Sequence, residues 1–292
     1  MQSLVSRCTV FPHNKPNLKM YSNCLYLSNR YSSVQCVVVP NNVNYKVEEE
    51  YQYSNLGLEK ELIPKHVAII LDGSRRWLKA HDKPLTYEPF FQSNSLFADL
   101  CLKWGVSTAT TFVYSYKNLQ RGQDSNDLLF GQLERYLENN LGDFIRKGIR
   151  VRIIGERWLL PKSLQNIIKQ VEDETMIKKD TRQLELMLAV CYSGTRDILE
   201  ATRSICEKVK AGLIEPNSID EVLFDQELWT RGASHPDLLI RTGGRLRVSD
   251  YLMWQLAQSE LYSTQLCAPD FGEVEFLQAL RSFQQRERTF GK

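Results

Sequence analysis

The sequence predicts an α/β fold: a single domain with a mostly parallel central sheet and helices on both faces. Three features carry that prediction. Short apolar segments alternate with longer segments of helical period from about residue 66 onward, the order that builds parallel sheets through helical crossovers. The short segments are apolar at consecutive positions, as strands buried on both faces are, rather than at every second position. After residue 60 there is no internal repeat and no linker rich in Pro, Gly or Ser, so one domain is expected over 60–292.

Residues 67–71, Val-Ala-Ile-Ile-Leu, read as the first buried strand, and 75–81 as the first turns of a helix. Phe90, Phe91, Leu96, Phe97, Leu100, Cys101 and Trp104 recur at helical spacing, with Gly105 as the stop. Residues 108–114 are β-branched and aromatic, hence a strand, and they lead into the polar run from Ser115 to Arg121. A long amphipathic helix over 126–147 carries Leu128, Leu129, Leu133, Leu137, Leu141 and Phe144 on related faces, and Gly148 ends it. Residues 151–154 form a strand closed by Gly155. Residues 161–179 read as a helix with Pro161 in its first turn, where a missing N–H costs nothing. A strand over 184–190, a helix over 194–213, a short helix over 224–229 and a strand over 236–240 follow. Residues 251–257 look helical or mixed, and 276–288 read as the closing helix.

Hydrophobic residues make up 42% of the 292 positions, enough for a sizeable core. No run of about 18 apolar residues is present, so no transmembrane helix is expected. Residues 1–47 contain no Asp or Glu and five basic residues, Arg7, Lys15, Lys19, Arg30 and Lys46. Of the chain's 37 basic and 35 acidic residues, the remainder therefore keeps 32 and 35, which speaks against a nucleic-acid surface. The Ser-, Asn- and Tyr-rich, acid-free opening fits an organelle transit peptide, or else a disordered tail without an address. Its boundary is expected between Ser33 and Glu50. The seven cysteines show no C-x-x-C pair and the four histidines no ligand spacing, so neither a disulfide framework nor a zinc site follows.

Two stretches carry the chemistry. In 66–77, HVAIILDGSRRW, a carboxylate (Asp72) sits at the carboxyl end of a buried strand, beside a helix start and Arg75 and Arg76. In open α/β sheets ligands bind at that edge. Free N–H groups at a helix start favour phosphate, and Asp72 offers a hard oxygen for a Mg²⁺ that arrives with phosphates. A bare Asp-Gly turn is the bland alternative. In 241–262, RTGGRLRVSDYLMWQLAQSELY, Gly243-Gly244 permits close backbone approach to a ligand. Arg241 and Arg247 flank that turn, and guanidinium groups bind phosphate in a bidentate, charge-assisted manner. A solvated basic loop is the bland reading there. Neither G-x-x-x-x-G-K-S/T nor a post-strand G-x-G-x-x-G occurs, so a nucleotide site is disfavoured.

The first stretch resembles the opening motif of the cis-prenyltransferases, H-V-A-x-I-x-D-G-x-x-R-W, and the second resembles that family's last motif, R-T-G/S-G-x-x-R-x-S-N-F-L-x-W-Q-x-x-x-x-E. Ser115, Asn118 and Arg121 match part of S-T-E-N-W-x-R; Ile153-Ile154-Gly155 with Leu160-Pro161 matches I-x-G…L-P; and Pro236 to Ile240 matches P-D-L-x-I. The matches are collinear over about 60–291. The resemblance implies the family's single-domain sheet, a homodimer, allylic diphosphate substrates and Mg²⁺. Carried over by position, it implies Asp72 as a carboxylate for Mg²⁺ and Glu260 as a second one, from the other subunit or through the substrate's shell. It implies Gly73, Arg75, Arg76 and Arg121 around one diphosphate, and Arg241, Arg247 and Ser249 around the other. Ser74, Ser115 and Asn118 would stand on the proton-transfer side.

The sequence departs from the family pattern close to these motifs. Ser74 replaces Asn, Pro89-Phe90 replaces Gly-His, and Lys117 and Leu119 replace Glu and Trp. Cys191 and Asp250 replace Asn, Arg245 takes an often acidic position, and Thr289 replaces Arg. One explanation is a noncatalytic partner subunit. The other is altered chemistry on an active scaffold, which the retention of Asp72, Arg76, Arg241, Arg247, Ser249 and Glu260 favours. The combination resembles those plastidial members that join two dimethylallyl diphosphates head-to-middle into the branched ten-carbon lavandulyl diphosphate. A neryl diphosphate synthase or another short-chain cis-prenyl diphosphate synthase is the alternative. Phe90, Phe91 and Phe97 either shorten the product pocket or simply fill core.

Overall fold

The structure, a computed structural model, describes residues 53, 56–176 and 182–287, with the backbone of 24–26 and 36–38. The chain divides into two compact units, Met1–Leu56 and Gly57–Lys292. In the first, β1 (Cys24–Tyr26) and β2 (Cys36–Val38) pair antiparallel. The expected transit segment over 1–47 otherwise lies outside the described residues, as does Thr289.

The second unit is built on β3 (His66–Ile70), β4 (Thr108–Ser115), β5 (Ile149–Ile154), β6 (Leu184–Tyr192), β7 (Leu238–Arg241) and β8 (Glu260–Ser263). Among the described residues these form one six-stranded sheet in the order β5-β6-β4-β3-β7-β8. Every neighbouring pair is parallel. Successive side chains of a strand point to opposite faces. All of β3 and β6, and β4 up to its last residue, are buried, so both faces are covered where these strands run. The cover comes from helices α1 (Ser74–Ala80), α2 (Glu88–Lys103), α3 (Gln123–Arg146), α4 (Lys162–Glu174), α5 (Gly194–Lys210), α6 (Glu221–Glu227) and α7 (Glu273–Gln284). On α3 the buried stripe is Leu129, Leu133, Tyr136, Leu137 and Phe144, the helical period seen in the sequence.

The structure corrects four expectations. Pro161 is the N-cap of α4 and not a first-turn residue, and that helix ends at Glu174. Residues 251–257 form consecutive turns rather than a helix; Asp250 and Leu252 sit at positive φ, which no helix accommodates. The strand β8 was not expected. It has four residues and is half-exposed on an edge, too short to show a period. The strand expected over 236–240 begins only at Leu238 and runs through Arg241, which brings a guanidinium into the sheet's last register position.

The amino-terminal edge of the sheet carries buried polar groups with structural partners. Glu185 on β6 is buried and lies 3.6, 3.3 and 3.3 Å from the guanidinium groups of Arg150, Arg152 and Arg182. His66 on β3 bonds the Ser234 carbonyl through Nδ1 at 2.5 Å and Thr110 Oγ1 through Nε2 at 2.7 Å. A carbonyl only accepts, so Nδ1 carries the proton and Nε2 accepts from the threonine.

Burial pushes the His66 pKa down to about 4, outweighing the Ser234 carbonyl and the nearby carboxylates that would raise it. Below the ordinary value of 6.5 the unfolded chain binds a proton that the folded chain refuses. Stability is therefore lost as pH falls from 6.5 towards 4, by about 3 kcal/mol at the end of that window. Urea unfolding across that range should show the loss, and His66→Gln should flatten it.

Candidate active site

The site lies where β4, β3 and β7 end. Ile70 pairs with Arg241 across β3 and β7, so Asp72, just past β3, faces the last residue of β7. Arg241 donates to Asp72 Oδ2 through Nη2 at 2.8 Å. Its Nη1 donates to Ser249 Oγ at 2.7 Å and also to the Arg247 carbonyl. Arg76, one helical turn after Asp72, reaches Asp72 Oδ1 at 3.4 Å and donates to the Gly243 carbonyl at 2.9 Å. Burial pushes the Asp72 pKa up, but the hydrogen bond and charge of Arg241, joined by Arg76, outweigh it and hold the carboxyl below its ordinary value. Asp72 is thus a carboxylate shared by two guanidinium groups. Arg75 and Arg247 add exposed positive charge to the same loops, so the edge as a whole suits an anion.

The backbone here has little room. Gly73 takes φ +105, and a Cβ on it would lie 2.8 Å from Cys267 Sγ. Gly243 takes φ +79, and a Cβ would stand 2.5 Å from Arg76 Nη2 and 3.1 Å from the Asp72 carbonyl carbon. Both glycines are therefore required by close approach as well as by conformation. Two partners of Asp72 and one neighbour of Gly73 went unnoticed in the sequence. Thr242 Oγ1 donates to the Asp72 carbonyl at 2.7 Å, the Ala268 N–H donates to the same oxygen at 3.0 Å, and Cys267 packs on Gly73. Thr242 lies inside the R-T-G-G stretch and was legible there; the residues after β8 carry no local signal.

The other expected residues divide. Ser115 ends β4, one strand over from β3, and its hydroxyl accepts from the Asn118 N–H at 3.2 Å, capping the 3₁₀ turn of Tyr116–Arg121. Tyr114 locks that turn by donating to the Asn118 carbonyl at 2.9 Å and lying 2.7 Å from Asn126 Oδ1. Arg121 is exposed, its guanidinium 5.8 Å from the Tyr114 ring centroid. Ser74 opens α1, and its hydroxyl is shielded with no hydrogen-bond partner among the described residues. Glu260 is the residue that the structure does not bring to the others. It begins β8 opposite Leu238, at the far end of β7 from Arg241, and pairs with Arg286 at 2.5 Å. Asp72 and Glu260 do not form a joint carboxylate pair within this chain, because parallel register puts one at each end of the sheet. Cys191 takes φ +49 and is buried. Burial pushes its thiol up to about 12, so it is neither nucleophile nor base near neutrality.

Among the described residues no group of three His, Cys, Asp or Glu side chains could hold a metal ion. A lone carboxylate at an edge that suits anions is compatible with Mg²⁺, which is commonly held by one or two carboxylates together with substrate phosphates and water. A cavity of about 640 Å³ between α2 and α3 has Phe91 and Tyr136 in its wall, with Gln92, Ser95 and Arg135 towards its rim. The two rings stack at 4.9 Å, and Phe90 meets Phe91 edge-on at 5.3 Å.

A family model described as "Putative undecaprenyl diphosphate synthase" matches residues 70–291. The chloroplastic cis-prenyltransferase 4 of Solanum lycopersicum is 45% identical over 239 residues, 80% of this chain and 77% of the relative. A chloroplastic (2Z,6Z)-farnesyl diphosphate synthase of the same plant is 45% identical over 235 residues, 79% of this chain and 80% of the relative. Among solved structures, lavandulyl diphosphate synthase from Lavandula x intermedia in complex with dimethylallyl diphosphate superposes with a TM-score of 0.76. That match is 34% identical and covers 80% of this chain and 100% of the other.

Gly243→Ala is expected to displace Arg76 from its carbonyl and carboxylate partners. Calorimetry with inorganic diphosphate should show affinity reduced about tenfold, the size of a lost charged contact. Urea unfolding should show about 1–2 kcal/mol of lost stability, from alanine at positive φ.

Proposed function

The chain belongs to the cis-prenyltransferase family, and from that premise we propose that it condenses two dimethylallyl diphosphates head-to-middle to lavandulyl diphosphate, releasing diphosphate. One observation carries the reading. Asp72, Arg241, Ser249 and Arg76, which we read as the diphosphate machinery, lie in one hydrogen-bonded cluster. Departures from the family pattern surround it, at Ser74, at Lys117 and Leu119 in the turn after β4, at Cys191 near the end of β6, and at Arg245 and Asp250 in the loop that carries Ser249. A scaffold that keeps Asp72, Arg76, Arg241 and Ser249 while altering the residues around them fits a changed acceptor better than lost activity. Similarity to the lavandulyl diphosphate synthase structure supports the same choice.

In this scheme the C1–O bond of one allylic diphosphate breaks, and its electron pair leaves with the diphosphate. The π pair of the second molecule's double bond forms the new carbon–carbon bond at that C1. A methyl proton is then lost to the departing diphosphate, with Ser74, Ser115 or Asn118 on its path. Arg76 and the Asp72 loop receive the charge that develops on the leaving oxygen, while Arg241, Arg247 and Ser249 orient the second diphosphate. Fixed donors aimed at developing charge stabilise a transition state by about 3–4 kcal/mol each. Mg²⁺ bound by Asp72 and the phosphates would supply additional positive charge at the leaving group. The family resemblance supports a homodimer, and the chloroplastic relatives support a plastid location. No described helix is long and apolar enough to cross a membrane.

A second reading, regular cis condensation of dimethylallyl and isopentenyl diphosphates, is favoured by the 45% identity to the farnesyl diphosphate synthase. Supplying dimethylallyl diphosphate alone and then with isopentenyl diphosphate, and identifying the dephosphorylated alcohols, separates the two. Lavandulol from dimethylallyl diphosphate alone is the expected product. Nerol or farnesol formed only when isopentenyl diphosphate is present establishes the second reading, and no alcohol in either arm points to a noncatalytic subunit.

Phe91 and Tyr136 stack in the wall of the cavity between α2 and α3, and in this reading they set the limit on product length. Phe91→Leu should admit them: with isopentenyl diphosphate present, products beyond ten carbons should rise about tenfold, the discrimination that small changes in an apolar pocket provide. Chromatography of the alcohols measures it.

A further inference from the structure

Resting on the diphosphate clamp of the proposed function, we propose that Asp250 is a positioning residue that pins the Ser249 loop to the start of α5 and thereby sets Arg241 and Ser249 to receive a diphosphate. The loop needs such a pin. Ser249, Asp250 and Leu252 all lie at positive φ, at +56°, +63° and +45°. Left-handed conformations in residues other than glycine are costly and persist only where the surroundings enforce them. Asp250 supplies the enforcement. Its Oδ2 accepts from Ser193 Oγ at 2.6 Å, and its Oδ1 accepts from the Thr195 N–H at 2.9 Å and Thr195 Oγ1 at 2.6 Å. Its carbonyl accepts from the Gly194 N–H at 2.7 Å. Four bonds therefore tie one residue to the first turn of α5.

The other side of the loop is the clamp. Ser249 Oγ accepts from Arg241 Nη1 at 2.7 Å, the Arg247 carbonyl accepts from the same nitrogen, and Arg241 Nη2 reaches Asp72 at 2.8 Å. A continuous series of contacts thus runs from α5 through Asp250, Ser249 and Arg241 to Asp72. The carboxylate form suits this task. Burial pushes the Asp250 pKa up, but the Ser193 and Thr195 donors and the charge of Lys117 outweigh it and hold it below the ordinary value. Lys117 and Asp250 both depart from the family pattern, and their charges are complementary. Where the pattern has Asn, a carboxamide has one acceptor atom in place of two, so an oxygen facing Thr195 leaves an NH2 facing Ser193, and that bond must run in the opposite direction.

A residue that merely caps α5 would, when replaced, lower thermal stability and leave the ligand constants alone. The test therefore compares the full chain with Asp250→Ala, Asp250→Asn and Ser193→Ala by calorimetry with inorganic diphosphate and Mg²⁺, and by KM and kcat with dimethylallyl diphosphate. Asp250→Ala should weaken diphosphate binding and raise KM by about tenfold, in the range seen for side chains that support a ligand site from behind, with a smaller change in kcat. Asp250→Asn and Ser193→Ala should shift both constants in the same direction by less. Should Asp250→Ala fail to fold, Asp250→Asn, which restores the residue of the family pattern, carries the measurement. Folded variants with wild-type diphosphate affinity and KM, whatever their melting temperatures, overturn the positioning role alone. Failure of the wild type to bind diphosphate overturns the clamp and this proposal together.

Discussion

The ion pair between Asp72 and Arg241 is the interaction on which the site is built. The two residues are far apart in sequence and meet because β3 and β7 run parallel with Ile70 opposite Arg241. The Arg241 side chain is only 7% exposed. A guanidinium so placed must find acceptors, since an unpaired buried charge is far more costly than a paired one. It finds Asp72, Ser249 and the Arg247 carbonyl. Arg76 then draws on the same carboxylate, so one negative charge faces two positive ones. The residual positive charge suits an anion such as the proposed diphosphate, and the rigid pairing leaves little to reorganise on binding one.

Strand order decides what surrounds that pair. With β3 between β4 and β7, the Ser115–Asn118 turn stands on one side of Asp72 and the Arg241–Gly244 turn on the other, each about 5 Å away by strand spacing. The opposite edge of the same sheet is given to structure: neutral His66, and Glu185 among its arginines. Groups needed for stability and groups needed for chemistry are thereby kept at opposite ends of the strands. Glu260 falls on the structural side for the same reason, and its partner is Arg286.

How much of this was legible in the sequence depended on whether a signal was local. Continuous apolar runs identified β3, β4 and β6 because both faces of the sheet are covered there. Asp72 and Arg241 were legible because glycines just beyond them mark the end of a strand, whereas Ser249 was indicated only by the family resemblance. The strand β8 was not, since four residues with alternate exposure on an edge show no periodicity. The turns over 251–257 were misread because Leu, Trp and Gln have good helix propensity, whereas Asp250's bonds to Ser193 and Thr195 hold the chain out of helix. Ala268 at the Asp72 carbonyl belongs to long-range geometry that no spacing reveals.

Backbone conformation also bears on whether the departures from the family pattern are decay. Cys191 and Asp250 stand where the pattern has Asn, and both lie at positive φ, the region that Asn tolerates better than most side chains. Cys191 keeps the conformation without that advantage, inside a strand whose neighbours are all buried. A chain drifting free of function would be expected to relax such positions, since each costs stability and serves nothing. Here the backbone is retained, and at 250 the replacement accepts three side-chain-directed bonds that hold the clamp loop. Lys117 brings a positive charge towards the same carboxylate. Substitutions that change charge and hydrogen bonding together, in a mutually compatible direction, fit the proposed change of acceptor on an unchanged scaffold better than decay.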